Sequence, residues 1–130
     1  MAIFIVRLGS PRQAGEGLRL GTVRRPPRGV KKADFARLDY YDVWLPSLSP
    51  SAELVDEALH APDDRAWTAF RRKFRKEMSE PGPSRELDLL AALSHQTNFS
   101  LGCYCQDVNR CHRSVLRELL EERGADLSVK

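Results

Sequence analysis

Cysteine is scarce in this chain: three residues in 130, all confined to positions 103–111. A secreted disulfide scaffold spreads an even number along its length, so that class is excluded. Reduced thiols used for packing, metal binding or chemistry remain. Long apolar runs are also missing. Stretches such as 2–6 and 87–93 fall far short of the roughly 20 residues that a membrane-spanning helix needs. The first residues carry no basic start followed by a longer apolar segment, so no secretory leader and no membrane partner are expected. The expected setting is the cytoplasm of a bacterial cell. Charge of one sign is nearly balanced, 21 basic against 18 acidic residues for a net +3. That excess is too small to specify nucleic acid as a partner. There are no internal repeats and no low-complexity tract.

Apolar content of 42% is that of a globular protein, and 130 residues suit one domain, 1–130, with a real core. Residues 3–6 form a short β-branched and aromatic run and predict a buried strand. Residues 18–23 predict a second strand and 39–45 a third, with a short helix over 32–37 between them. Pro26 and Pro27 interrupt regular structure, because neither can donate a backbone hydrogen bond. Ser49 and Pro50 suggest an N-cap and first helical position for a helix reaching about His60. The clearest helix covers 64–78, where Trp67, Phe70, Phe74 and Met78 make one apolar stripe. The 81–83 segment closes it, and Ser84 caps the next helix, with a core stripe of Leu87, Leu90 and Leu93. A strand over 99–104 and a helix through Val115, Leu116, Leu119 and Leu120 complete the pattern, with Gly124 as its stop. Strands alternating with helices give an α/β class: a mainly parallel sheet of about four strands with helices packed on it.

The chemistry concentrates where the last strand meets the last helix. Cys103 and Cys105 share one strand face by alternation. Asn109 or Asp107 can cap the helix that follows, which puts Cys111, His112 and Arg113 in or near its first turn. That turn carries unpaired N–H groups and the positive end of the helix dipole. It attracts an anion, lowers the cost of a thiolate, and places a histidine beside it as base. Cysteine phosphatases join strand to helix in a similar way but place an arginine six positions after the nucleophile. Six beyond Cys105 is Cys111 and six beyond Cys103 is Asn109, so that chemistry is excluded. Cys103, Cys105, Cys111 and His112 are also possible zinc ligands. Their spacing is unlike paired knuckles, and two consecutive helical residues diverge by about 100°. His60 and His95 lie near helix ends without a partner motif and suit solvated or capping roles.

A second cluster is basic. Arg7, Arg12, Arg19, Arg24, Arg25, Arg28, Lys31 and Lys32 crowd the first quarter, with Glu16 the one acid before Asp34. A local basic surface facing an anion follows from it.

Several segments, in order and spacing, resemble the uncharacterised bacterial family catalogued as domain of unknown function 488. They are Arg24 with Pro27 to Lys31, residues 44–51, Trp67 to Phe70 with Phe74, Arg75, Glu77 and Met78, and Cys111 to Arg113 with Leu116. Val23 and Pro26 depart from the acidic residue and the tryptophan usual at those points. The resemblance implies a small α/β domain and no particular activity. Some members carry a transcription-regulator label, but no helix-turn-helix with a basic recognition helix occurs here. It also implies that the Arg24–Arg28 segment and the Cys111–Arg113 turn lie at one carboxyl edge as two walls of one pocket.

Two functions then compete. One is a thiol-dependent enzyme that holds a phosphate-bearing or other small anionic substrate through Arg24, Arg28, Arg113 and Arg7. Its nucleophile is Cys111 or Cys105, and His112 is the base. The other is a non-catalytic module for a nucleotide, nucleic acid or acidic partner, with the cysteines packing. Neither needs a cofactor; a zinc-binding scaffold is the third alternative.

Overall fold

Among the described residues four short runs form strands: β1 (Ile3–Arg7) and β3 (Val43–Trp44), rich in β-branched and aromatic residues, and the leucine- and glycine-bearing β2 (Leu18–Gly21) and β4 (Phe99–Cys103). The computed structural model describes residues 1–59, 63–105 and 111–128. The sheet order is β1-β4-β2-β3, and each neighbouring pair is parallel. All four strands therefore end at the same edge. β4 is central, with Gly102 opposite both Val6 and Gly21, and every one of its residues is buried. The free side of β1 is partly covered by the chain's end: Ile3 N–H donates to Asp126 O and Ser128 N–H to Ile3 O.

Among the described residues four helices accompany the sheet: α1 (Ala52–Leu59), α2 (Asp64–Met78), α3 (Pro81–Leu93) and α4 (His112–Glu122). They share one core with Ile3, Leu20, Phe99 and Leu101 from one sheet face. Within α2, Asp63 caps the first turn by accepting from Ala66 N–H at 2.9 Å. The expected stripe is realised, with Trp67 stacked on Phe70 and Phe70 on Phe74 at centroid separations of 4.9 and 6.0 Å. Burying each of the fully enclosed rings, Phe70 and Phe74, is worth roughly 1.5–3 kcal/mol. Among the described residues, no helix is long and apolar enough to cross a membrane.

Loops, not helices, cover the other sheet face. Glycines make this possible: a Cβ on Gly21 would stand 2.4 Å from the Tyr41 ring, and one on Gly102 2.5 Å from Leu8. Beneath the loops lies Arg19, fully buried and paired with buried Glu16. Its guanidinium also donates to the carbonyls of Ser10 and Asp39, each at 2.7 Å. Arg12 pairs with Asp39 at 3.1 Å and Asp42 at 2.9 Å. The basic first quarter is thus divided, because Arg12 and Arg19 pin loops while Arg24, Arg25 and Arg28 stay exposed.

Several local expectations are corrected. The helix expected over 32–37 is one 3-10 turn, Lys32–Asp34. The strand expected from 39 shortens to Val43–Trp44, because Asp39 turns the chain at φ 65° and Tyr41 packs over Gly21. Ser49 closes a 3-10 turn, Pro46–Leu48, and donates its hydroxyl to Pro46 O at 2.6 Å. The cap of α1 is instead Ser51, whose Oγ accepts from Leu54 N–H at 3.3 Å. The 81–83 segment opens α3 and does not merely close α2. Proline lacks only an N–H that a first turn leaves unpaired anyway, so the ring is tolerated there. Ser84 consequently sits inside α3. His60, and the proposed caps Asp107 and Asn109, lie outside the described residues.

Candidate functional site

A cavity of about 720 Å³ opens beyond the ends of β2 and β4. This is where parallel sheets bind ligands, because strand ends and helix starts converge there. The volume suits a small organic ligand. One wall carries Val23, Arg24, Arg25 and Arg28, and another carries Cys103, Tyr104, Cys105, Cys111 and His112. Ser49, Pro50, Glu53 and Asp56 contribute from the entry and first turns of α1, and Phe70 reaches in from α2. The two segments expected as walls of one pocket do line the same cavity.

The helix start differs from the expected one in a way that matters. Cys111 is the N-cap of α4, with extended backbone at φ −131° and ψ 149°, and its side chain does not cap. His112 is the first helical residue. The 100° divergence expected of two helical neighbours therefore does not apply. Cys111 Sγ lies 3.8 Å from His112 Nδ1. The ligand atoms of Cys103, Cys111 and His112 all lie within 4.8 Å of one another. These three could hold a soft metal ion, so the geometric objection to zinc falls.

His112 is oriented from below by Thr22, the residue that follows β2. Its Nε2 is 2.5 Å from the Thr22 carbonyl oxygen and 3.4 Å from Thr22 Oγ1. A carbonyl only accepts, so Nε2 carries the proton and Nδ1 presents its lone pair to the thiols. The ring also stands edge-on to Phe74, with centroids 5.7 Å apart. Burial pushes the imidazole down to about 4, despite the hydrogen bond to Thr22 that favours protonation. The residue is a neutral base at physiological pH.

The thiols differ in depth. Cys103 and Cys111 are buried and Cys105 is exposed. Hydrogen bonds from Cys103 and then Cys111 hold the Cys105 thiol far below the ordinary cysteine range, helped by the charge of Arg113 and opposed by burial. Cys103 moves the other way, chiefly through its bond to Cys105, then its bond to Cys111 and burial. For Cys111 the bond with Cys103 pulls down, but the bond with Cys105 and burial outweigh it, and the thiol rises.

The remaining candidates separate. Arg24 and Arg28 line the cavity. Arg24 also braces the entry to α1, donating to Pro50 O at 3.1 Å and Ser49 O at 3.3 Å. Arg113 is buried and turned inward; its Nη2 donates to Cys105 O at 2.6 Å, and among the described residues its Nε has no partner. Arg7 lies outside the cavity lining and donates to Tyr104 O at 3.3 Å. Both of these arginines hold the chain around Cys105. His95 does have partners, Asp126 Oδ2 at 2.8 Å and Gly124 O at 3.0 Å, well away from the thiols in sequence.

Sequence reasoning missed Thr22, which sets the histidine tautomer, and Arg25, whose carbonyl accepts from Tyr104 Oη at 2.9 Å. It also missed the contribution of α1. Thr22 lies within the expected strand 18–23 and could have been found by asking what lies beside Gly102. Nothing in the spacing of Glu53 or Asp56 announces them.

The chain belongs to the DUF488 family: a family model described as the Active DUF488-N3 subclade matches residues 3–124. No curated protein and no solved structure matches it.

Proposed function

We propose that this member of the Active DUF488-N3 subclade is a thiol-dependent enzyme acting on a small anionic, phosphate-bearing substrate. The observation that carries the reading is the shared cavity, with Arg24 and Arg28 on one wall and the cysteines with His112 on another. An anionic group held at the arginines brings the rest of the ligand against the sulfurs. Cys105 is the nucleophile, because it is the exposed thiol. Cys111 is the alternative. His112 Nδ1, reached through the Cys111 thiol at 3.8 Å, accepts the proton as the Cys105 thiolate forms. The sulfur then bonds to the electrophilic atom. The leaving group departs with the electrons of the broken bond and takes the proton back from His112.

Iodoacetamide alkylation tests this, with peptide mapping and with inorganic phosphate as competitor. The expected result is one fast-reacting cysteine near neutral pH, mapped to Cys105 and protected by phosphate. Three uniformly slow thiols sink the nucleophile and leave a non-catalytic anion-binding module. One equivalent of zinc surviving dialysis assigns the sulfurs and His112 to a metal instead. Steep salt dependence of binding to random oligonucleotides favours nucleic acid as the anion.

A further inference from the structure

Three side chains of the cavity wall converge on one point, and their spacing is that of a coordination site. The ligand atoms of Cys103, Cys111 and His112 lie within 4.8 Å of one another, and all three residues line the cavity. Zinc bonds of about 2.3 Å to sulfur and 2.0–2.1 Å to nitrogen make tetrahedral edges of roughly 3.5–3.8 Å. The edge from Cys111 Sγ to His112 Nδ1 is already 3.8 Å. Cys103 is fixed in the β4 ladder, where it pairs with Arg7 and its carbonyl accepts from Leu8 N–H at 2.8 Å. Cys111 is the N-cap of α4, yet its sulfur caps nothing. His112 turns its unprotonated nitrogen to the sulfurs, because Nε2–H donates to the Thr22 carbonyl. Metal-bound histidines are oriented in this way, by a carbonyl or carboxylate on the far nitrogen. Phe74, edge-on to the ring, fixes it further. Cys103 and Cys111 are 1% and 2% exposed, so the soft donors are dry. Cys105 is exposed, and among the described residues no fourth side chain joins the group.

We infer that Cys103, Cys111 and His112 are an exchangeable zinc site whose fourth coordination position opens into the arginine-lined cavity. Two thiolates and one imidazole are the donor set of a borderline-soft divalent ion. As the ion binds, each of the two sulfurs gives its proton to the solvent, and Nδ1 donates its lone pair. One Zn²⁺ with two thiolates is a neutral centre, so its burial carries no net charge into the core. The fourth position faces Arg24 and Arg28, where a water or an anionic ligand group completes the tetrahedron. The same arginines and the buried Arg113 repel a dication, which keeps the ion exchangeable. The bound ion occupies Cys111 Sγ and His112 Nδ1, the two groups that carry the proton away from Cys105 in the thiol mechanism. Zinc is therefore an inhibitor of the thiol chemistry. That consequence rests on the reading of His112 as base; the binding of zinc does not.

The test uses the reduced full-length protein and Co²⁺, which takes the zinc geometry and reports its ligands by colour. The expected result is one ion per chain, with charge-transfer absorption from two thiolates and intense tetrahedral d–d bands, all erased by one equivalent of Zn²⁺. The zinc should then leave on dialysis. His112→Gln should weaken zinc roughly a hundredfold, since a lost ligand costs at least what a lost outer-shell partner does. Cys105→Ser should keep the wild-type spectrum and midpoint. Serine at buried Cys103 or Cys111 can unfold the chain, so the wild-type charge-transfer intensity counts the thiolates. An octahedral spectrum, or a tetrahedral one lost in Cys105→Ser, overturns the inference. Zinc that survives dialysis is a permanent centre and overturns both this inference and the thiol reading. Phosphate-protected alkylation of Cys105 in a protein that takes up no cobalt sinks this inference alone. Exchangeable zinc in a protein whose cysteines all alkylate slowly upholds the site and sinks the thiol reading alone. With both intact, one equivalent of zinc should slow alkylation of Cys105 roughly tenfold, as its proton acceptor is taken, and chelation should restore it. Unchanged alkylation overturns the inhibitory role.

Discussion

His112 Nε2 meets the Thr22 carbonyl at 2.5 Å, and this one contact decides what the other ring nitrogen can do. With its proton committed to Thr22, the ring faces Cys111 through a lone pair 3.8 Å from the sulfur. A base is thereby held at the thiols by the backbone of the neighbouring strand, not by a carboxylate.

That arrangement has a cost at low pH. In the folded metal-free protein burial holds the imidazole at about 4, below the ordinary 6.5. Between those values the unfolded chain takes up the proton and the folded chain does not. Stability therefore falls as pH drops through that window, by about 3 kcal/mol in all, and this contribution levels off below pH 4. His112→Gln keeps a donor toward Thr22 and removes the titration. Urea unfolding of both proteins from pH 7.5 to 4.5 should show a difference that closes as the solution acidifies. A constant difference would disprove the linkage.

A buried hydroxyl makes a second case. Among the described residues, Tyr41 Oη is buried without a hydrogen-bond partner, and burial raises its pKa. Tyr41→Phe keeps the ring over Gly21 and removes an unpaired polar atom. It should leave stability unchanged or raise it by about 1 kcal/mol in denaturant unfolding. A loss of that size or more would mean the hydroxyl has a partner.

Glu16 and Arg19 behave oppositely, because their burial is compensated. Burial pushes the Glu16 carboxyl up, but the hydrogen bonds from Arg19 and from Gln13 N–H pull it further down, and the net shift is downward. Arg19 meanwhile holds the carbonyls of Ser10 and Asp39. Glu16→Gln strands a buried guanidinium charge and should cost about 3–5 kcal/mol. The carboxylate's contribution is present above the ordinary carboxylate range and is lost as pH falls through the lowered value. The wild-type advantage over Glu16→Gln should accordingly shrink in acid, measured as the difference in unfolding free energy.

Much of the architecture was legible because it rests on periodicity. The 64–78 stripe and the 3–6 run need no tertiary information, and both occur where expected. The loop-covered face was not legible. Tyr40 and Tyr41 have the composition of a strand, yet Tyr41 is wanted over Gly21, a partner about twenty residues earlier. The proline pair at 81 and 83 signals an end and a beginning equally well. At the site, residue types located the thiol wall and the arginine wall. Helix periodicity misjudged Cys111, because one residue of difference in where α4 begins turns a divergent side chain into a convergent one. Thr22 was invisible because its contribution is a carbonyl, which every residue has.

The two cavity arginines should answer differently to truncation. Arg24 spends hydrogen bonds on Ser49 O and Pro50 O, so it anchors the start of α1 as well as facing the cavity. Arg28 lines the cavity, is exposed, and among the described residues makes no hydrogen bond or ion pair. An arginine without a structural task that borders thiols is available to a ligand. Arg28→Ala should therefore leave the unfolding midpoint within about 0.5 kcal/mol of wild type. It should weaken phosphate protection of Cys105 about tenfold, the loss of one charge-assisted hydrogen bond. Arg24→Ala should lower both stability and protection, since the carbonyls it holds are left open. Arg28→Lys should recover part of the protection, as a point charge lacking the planar fork. Protection unchanged in Arg28→Ala would remove the arginine wall from the site, whatever the thiols do.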